Sequence, residues 1–217
     1  MKYEAVIFDL DGVICETDMC HYQAWKKIAD RIGVEFNEEI NHRLRGVSRM
    51  ESLEIILEKY DGHLSDEEKE TLTAEKNEIY RAKIKEATPD IIIDGVEEIL
   101  SFLRESKIKI GLSSASKNAK LILSRIGLID AFDVIVDGND ITKAKPDPQG
   151  FLKTAEHLGV SPARSLVVED SEAGVVAAHA GGMDVAFVST GCKSSIADYS
   201  IESVSELKDI VVRTAAL

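Results

Sequence analysis

Two carboxylates two residues apart, Asp9 and Asp11, follow directly on the apolar run Ala5-Val6-Ile7-Phe8, and Gly12 closes the motif. Such a run reads as a strand buried on both faces of a parallel sheet, and ligands of such sheets gather beyond the strands' carboxyl ends. Asp9 is thereby expected at a reaction centre. Residues two apart on an extended chain share a face, so Asp9 and Asp11 can address one ligand while Gly12 lets the chain turn away. Adjacent carboxylates repel unless a cation or a shared proton intervenes.

Three further clusters stand where strands should end. Ile108 to Leu112 runs into Ser113-Ser114-Ala115-Ser116-Lys117-Asn118, a turn rich in hydroxyls and backbone N–H groups suited to phosphate oxygens. Taken alone, that turn is an ordinary helix cap. Lys143-Ala144-Lys145-Pro146-Asp147-Pro148 offers two lysines before a helix that Asp147 can cap and Pro148 can open. Leu166 to Val168 leads into Glu169-Asp170-Ser171, a second acidic pair behind a second apolar strand. Asp9, Glu169 and Asp170 together are an unstable concentration of negative charge without Mg²⁺, a hard ion held by one or two carboxylates plus substrate phosphate. Ser114 and Lys145 supply the phosphate side. A carboxylate nucleophile, a metal and fixed cations point to phosphoryl transfer through an aspartyl-phosphate. Uncatalysed phosphate-monoester hydrolysis needs up to about 10²¹-fold acceleration, which demands electrostatic positioning by several groups at once.

The elements that must hold these groups show in the apolar periodicity. After Asp11 the pattern turns helical for about seventy residues, longer than a usual loop. Trp25, Ile28, Ala29 and Ile32 share one helical face, and Leu53, Ile56, Leu57 and Tyr60 share another. Ser48 is a candidate N-cap with Glu51 completing a capping box, and Ser65 opens a long charged helix that ends before Pro89. From Asp94 onward helices and strands alternate: strands over 108–112, 132–136, 166–168 and 185–188, a small-residue helix near 174–181 and a closing helix around Val204 to Val211. Alternation of this kind predicts an α/β fold, a parallel sheet wrapped by helices.

At 217 residues, with 44% hydrophobic and 30% charged, the chain has the composition of a globular protein. Its 39 acidic against 26 basic residues leave a net charge of −13, which argues against nucleic acid as a partner. An anionic small molecule needs a local cationic cluster to overcome that field. Cys15, Cys20 and Cys192 have no zinc-ligand spacing and read as ordinary thiols of a reducing compartment. With no secretory or membrane-spanning run, the expectation is a cytoplasmic protein with no membrane partner.

At Asp9-Leu10-Asp11-Gly12, Ser114, Lys145 and Glu169-Asp170 the chain resembles the haloacid dehalogenase superfamily of phosphotransferases, whose four ordered motifs these residues match. The resemblance covers Tyr3 to about Val188 and is nearest to the superfamily's sugar-phosphate mutases. It extends through Cys15-Glu16-Thr17-Asp18, His21, Ala24-Trp25, Arg45-Gly46-Val47-Ser48-Arg49 and Glu75-Lys76-Asn77. It implies a Rossmann-like core over residues 1–16 and 89–217 and an inserted helical cap over 17–88. By the same resemblance Asp9 is the nucleophile, Asp11 the general acid and base, and Thr17 and His21 position Asp11. Asp9, the Asp11 backbone carbonyl, Glu169 and Asp170 hold Mg²⁺. Ser114, the Ala115 amide and Lys145 bind the transferring phosphoryl group. Arg49, Ser116, Lys117 and Asn118 hold the phosphate at the other end of a sugar bisphosphate, and Trp25, Arg45, Gly46, Val47, Ser48, Ser52 and Lys76 address the substrate from the cap. Arg45 stands where Lys is common, which keeps the charge and changes its shape. The implied reaction interconverts β-D-glucose 1-phosphate and glucose 6-phosphate through the 1,6-bisphosphate, and the expected assembly is a monomer. A sugar-phosphate phosphatase of the same superfamily is the alternative; a phospho-accepting receiver module shares the chemistry but is shorter and lacks the insertion.

Overall fold

The computed structural model describes residues 2–44, 47–191 and 193–213. Strand β1 (Ala5–Phe8) is followed by helices α1 (Asp18–Ile32), α2 (Glu38–His42), α3 (Arg49–Ile56) and α4 (Asp66–Lys85). The chain then alternates through α5 (Val96–Glu105), β2 (Lys109–Ser113), α6 (Ala119–Ile126), β3 (Val134–Val136), α7 (Gln149–Leu158), β4 (Ser165–Glu169), α8 (Glu172–Ala180) and β5 (Asp184–Val188), and ends on β6 (Tyr199–Ile201) and α9 (Leu207–Arg213). The strands form one six-stranded parallel sheet in the order β3-β2-β1-β4-β5-β6. β1 is where the order changes direction, and ligands of open α/β sheets bind at that point.

Side chains alternate across β1. Val6 and Phe8 join a core beneath α5, α6 and α9, while Ala5 and Ile7 join a second core beneath α7 and α8. Both faces are covered, hence the continuous apolar run in the sequence. The register sets Phe8 level with Leu112 of β2 and Val168 of β4, so Asp9, Ser113 and Glu169 emerge side by side. A third cluster belongs to the inserted helices alone: Trp25, Ile28 and Ala29 of α1 meet Leu53 and Ile56 of α3 and Leu72 of α4, with Val34 and Phe36.

Local signals explain most element ends. Ser48 accepts from the Glu51 amide to cap α3, and Ser65 forms a full capping box with Glu68 at the start of α4. α7 departs from expectation, because Pro148 is itself the N-cap and the Asp147 carboxylate caps from one residue earlier, accepting from the Gln149 amide at 3.0 Å. β3 is shorter than its apolar run, beginning after Asp133, whose carboxylate accepts from the Ile110 amide at 2.7 Å. Two elements are not visible in the sequence pattern. α2 buries no residue and so leaves no periodicity, and β6 is three residues with one buried.

Trp25 is the chain's one tryptophan and sits in the third cluster, so its fluorescence reports the inserted helices. Leu53→Ala empties a fully buried position there and is expected to lower the unfolding free energy read from Trp25 emission in urea by about 2–5 kcal/mol. An unchanged midpoint would show that Leu53 carries no packing load.

Candidate active site

The centre is assembled where β1, β2 and β4 end. Asp9 N–H donates to the Val168 carbonyl at 3.0 Å, which keeps β1 paired up to its last residue and fixes Asp9 beside Glu169. The Lys145 ammonium, arriving on the loop before α7, bonds both Asp9 Oδ1 and Glu169 Oε1. Glu169 is fully buried, and its Oε2 accepts from the Asp170 and Ser171 amides and the Ser171 hydroxyl at 2.8–2.9 Å. Two glycines make this crowding possible. A Cβ on Gly174 would overlap the Glu169 carboxylate, and one on Gly12 would overlap Asp170 in a backbone already at φ +80°.

The charges here are unbalanced. Burial pushes Asp9 well above the ordinary carboxylate range; Lys145 opposes this, while Glu169, Asp11 and Asp170 add to it. Burial alone would lower Lys145, but Asp9 and Glu169 outweigh it and raise the ammonium's pKa. One lysine thus faces several carboxylates. Among the described residues no three His, Cys, Asp or Glu side chains converge as a metal cage. Both Glu169 oxygens accept hydrogen bonds in this arrangement, Oε1 from Lys145 and Oε2 from the following turn. The carboxylates of Asp9, Glu169 and Asp170 and the Asp11 carbonyl are hard oxygen donors of the kind Mg²⁺ takes, an ion that binds few protein ligands and completes its shell with water and substrate phosphate.

Asp11 lies one turn out from Asp9. The Thr17 hydroxyl donates to its Oδ1, although Thr17 holds the N-cap position of α1 and caps nothing with its side chain. Burial raises Asp11's pKa, opposed by that hydrogen bond. Facing it from the helices, His21 Nδ1 and Lys76 Nζ lie 2.8 Å apart. Burial, with the charges of Lys76 and Arg49, drives His21 well below its usual pKa, so the ring is neutral. Burial and Arg49 bring Lys76 down to about 7 against the pull of Asp11. The Lys76 ammonium sits 5.0 Å from the Trp25 ring centre and 4.8 Å from that of Tyr80, a cation–π setting that offsets part of its burial.

A second pole lies across the cavity. The Ser114 and Ser116 hydroxyls accept from the amides two residues ahead, at 3.1 and 3.2 Å. The turn before α6 therefore uses the Ser116 and Asn118 amides internally, and its offer to a ligand rests on the other amides and on side chains. Arg49 is half-buried, its pKa lowered by burial, and among the described residues no carboxylate pairs with it. Its Nη2 donates to Asn77 Oδ1 at 2.9 Å, and Asn118 Nδ2 donates to the same oxygen at 2.9 Å.

Both poles open into one cavity of about 410 Å³. From the sheet side it is lined by Asp9, Asp11, Ser114, Ala115, Ser116, Lys117, Asn118, Lys145, Glu169 and Asp170. From the helices come His21, Trp25, Val47, Ser48, Arg49, Ser52 and Lys76. Thr17 is buried behind Asp11, outside the lining. Arg45 and Gly46 lie outside the described residues, as does Cys192. Sequence reasoning passed over Thr73 and Tyr80, which line the cavity, and gave Asn77 no role. The available signal was a polar face on α4, where Thr73, Lys76, Asn77 and Tyr80 recur at helical spacing.

A Rossmann-like parallel sheet with a carboxylate–lysine cluster at its switch point, and helices inserted after the first strand, defines the architectural class. The family model described as haloacid dehalogenase-like hydrolase matches residues 3–182, and the chain belongs to that family. It is 43% identical over 210 residues to a beta-phosphoglucomutase of Bacillus subtilis, covering 94% of this chain and 91% of that one. It is 34% identical to a phosphorylated carbohydrates phosphatase of Thermotoga maritima, over 83% of this chain and 82% of that protein. The crystal structure of beta-phosphoglucomutase from Clostridium difficile superimposes with a TM-score of 0.91 at 40% identity, covering 98% of this chain and 96% of that chain.

The depressed pKa of Lys76 has a measurable sign. Between about 7, its folded value, and the ordinary 10.5, the unfolded chain holds a proton that the folded chain lacks, so this residue makes stability rise with pH. Comparing Tm for the wild type and Lys76→Met from pH 7 to 10 is expected to show the wild type gaining on the variant. A difference that stays flat would contradict the effect of burial on Lys76.

Proposed function

We propose that this chain is a β-phosphoglucomutase, interconverting β-D-glucose 1-phosphate and glucose 6-phosphate through the 1,6-bisphosphate. The observation that carries the reading is the cavity's two-ended chemistry. Asp9, Lys145 and Ser114 stand at one end, and Arg49, a cation without a carboxylate partner among the described residues, stands with Asn118 at the other. A hydrolase acting on one phosphate needs only the first end. A mutase must hold a sugar phosphate in both orientations, and so needs an anion site at each.

In this reading the Asp9 carboxylate attacks the phosphoryl group, and Lys145 and Ser114 hold the oxygens of the group in flight. Asp11, held by Thr17, takes the proton from the accepting sugar hydroxyl and returns it to the leaving oxygen in the other direction. Arg49, Ser116, Lys117 and Asn118 hold the phosphate that does not react. The bisphosphate turns over, and Asp9 receives the phosphate from the other end. Asp9, the Asp11 carbonyl, Glu169 and Asp170 would hold Mg²⁺, which would supply the positive charge that lets phosphoryl oxygens lie against carboxylates. Residues 17–88 act as a cap that excludes water from phospho-Asp9. His21, Lys76 and Trp25 face the sugar from that cap, with Val47, Ser48 and Ser52 beside them. The protein works as a cytoplasmic monomer on small sugar phosphates.

Incubation with β-glucose 1-phosphate, a trace of the bisphosphate and Mg²⁺ is expected to yield glucose 6-phosphate, with the α-anomer inert. Release of free phosphate without glucose 6-phosphate would replace the mutase by a sugar-phosphate phosphatase.

A further inference from the structure

Asn77 stands on α4 outside the lining of the cavity, yet it joins the two parts of the chain that close it. Its Oδ1 accepts from Arg49 Nη2 and from Asn118 Nδ2, each at 2.9 Å. Arg49 opens α3 among the inserted helices, and Asn118 is the N-cap of α6 on the parallel sheet. A carbonyl oxygen has two lone pairs, so both are used, and the two donors are held against one atom. Neither donor is exhausted. The guanidinium keeps further N–H groups, the Asn118 amide keeps a second, and both side chains line the cavity. Moving α4 away from α6 breaks the bond to Asn118 and separates the two donors.

We propose that Asn77 is a positioning residue that makes closure of the helices and assembly of the far anion subsite a single event, an inference that rests on the two-phosphate reading above. A phosphate bridging Arg49 and Asn118 finds both donors in place only while Asn77 holds them together. Its binding therefore favours the closed arrangement. A ligand with a phosphate at one end only, lodged against Asp9, draws nothing from this contact. Asn77 thereby favours sugar phosphates that span the cavity over one-ended phosphates and water.

Asn77→Leu removes the acceptor at similar volume, and Asn118→Ala removes one donor. For Asn77→Leu the expected result is a rise of about ten-fold in KM for β-glucose 1-phosphate with kcat little changed, the weight of one hydrogen bond near a charged group. In the Asn118→Ala background the same substitution should add less than it does alone, since the Asn77–Asn118 bond is already gone and only the bond to Arg49 is left to lose. Acetyl phosphate, which has no sugar to carry a phosphate to the far end, provides the control as a donor to Asp9, its half-saturating concentration shifting far less than the sugar phosphate's. An unchanged KM, fully additive effects, or an equal shift for acetyl phosphate would overturn the proposal. If the wild type releases only free phosphate, the mutase reading fails and this proposal fails with it; an unchanged KM in a protein that does form glucose 6-phosphate overturns the Asn77 proposal alone.

Discussion

The Lys145 ammonium bridging Asp9 and Glu169 is the interaction on which the rest depends. Parallel pairing of β1 with β4 forces Asp9 and Glu169 out of the sheet side by side, both buried. Two buried carboxylates at that distance cannot both ionise without a cation between them. Lys145 comes from a loop far along the chain, so the charge balance of the centre exists only once β1, β4 and the segment before α7 have assembled. Glycine at positions 12 and 174 gives the carboxylates room, and the turn at Ser171 uses the remaining Glu169 oxygen. Folding of the sheet and construction of the centre are in this sense one process.

The cavity is unfavourable at both ends in complementary ways. Carboxylates outnumber cations at the Asp9 end, and Arg49 and Lys76 crowd a neutral His21 across from them. A divalent cation relieves the first, and a ligand phosphate relieves the second. Charge crowding of this kind costs stability in the free protein, as the depressed Lys76 shows, and is returned as binding and transition-state stabilisation when charges of opposite sign arrive. The chain's net charge of −13 makes the local cationic end more selective, since it stands out against an acidic surface.

Much of this was legible before the fold was seen, for physical reasons. Asp9 could be placed because a strand buried on both faces leaves a continuous apolar run, and the residue after it must lie at the sheet's carboxyl edge. Ser114 and Glu169 followed by the same logic, and Ser48 and Ser65 because caps are local. Partners distant in sequence were not legible by pattern. His21 meets Lys76 across 55 positions, and Asn77 joins Arg49 to Asn118 through helices whose packing no periodicity encodes. The double commitment of Glu169 was also hidden, since an acidic pair after a strand looks the same whether its oxygens face a metal or a lysine. The short strand β6 and helix α2 escaped because they bury too little to leave a pattern.

The central claim is that the Asp9 carboxyl, held against the Lys145 ammonium inside the fold, carries the phosphoryl group. Rapid acid quench after mixing with β-glucose 1,6-bisphosphate and Mg²⁺, followed by peptide mass mapping, tests it directly. The account predicts one phosphoryl group on Asp9 in the wild type and none anywhere in Asp9→Asn, which also loses turnover. Turnover without an adduct, or an adduct on another residue, would contradict it.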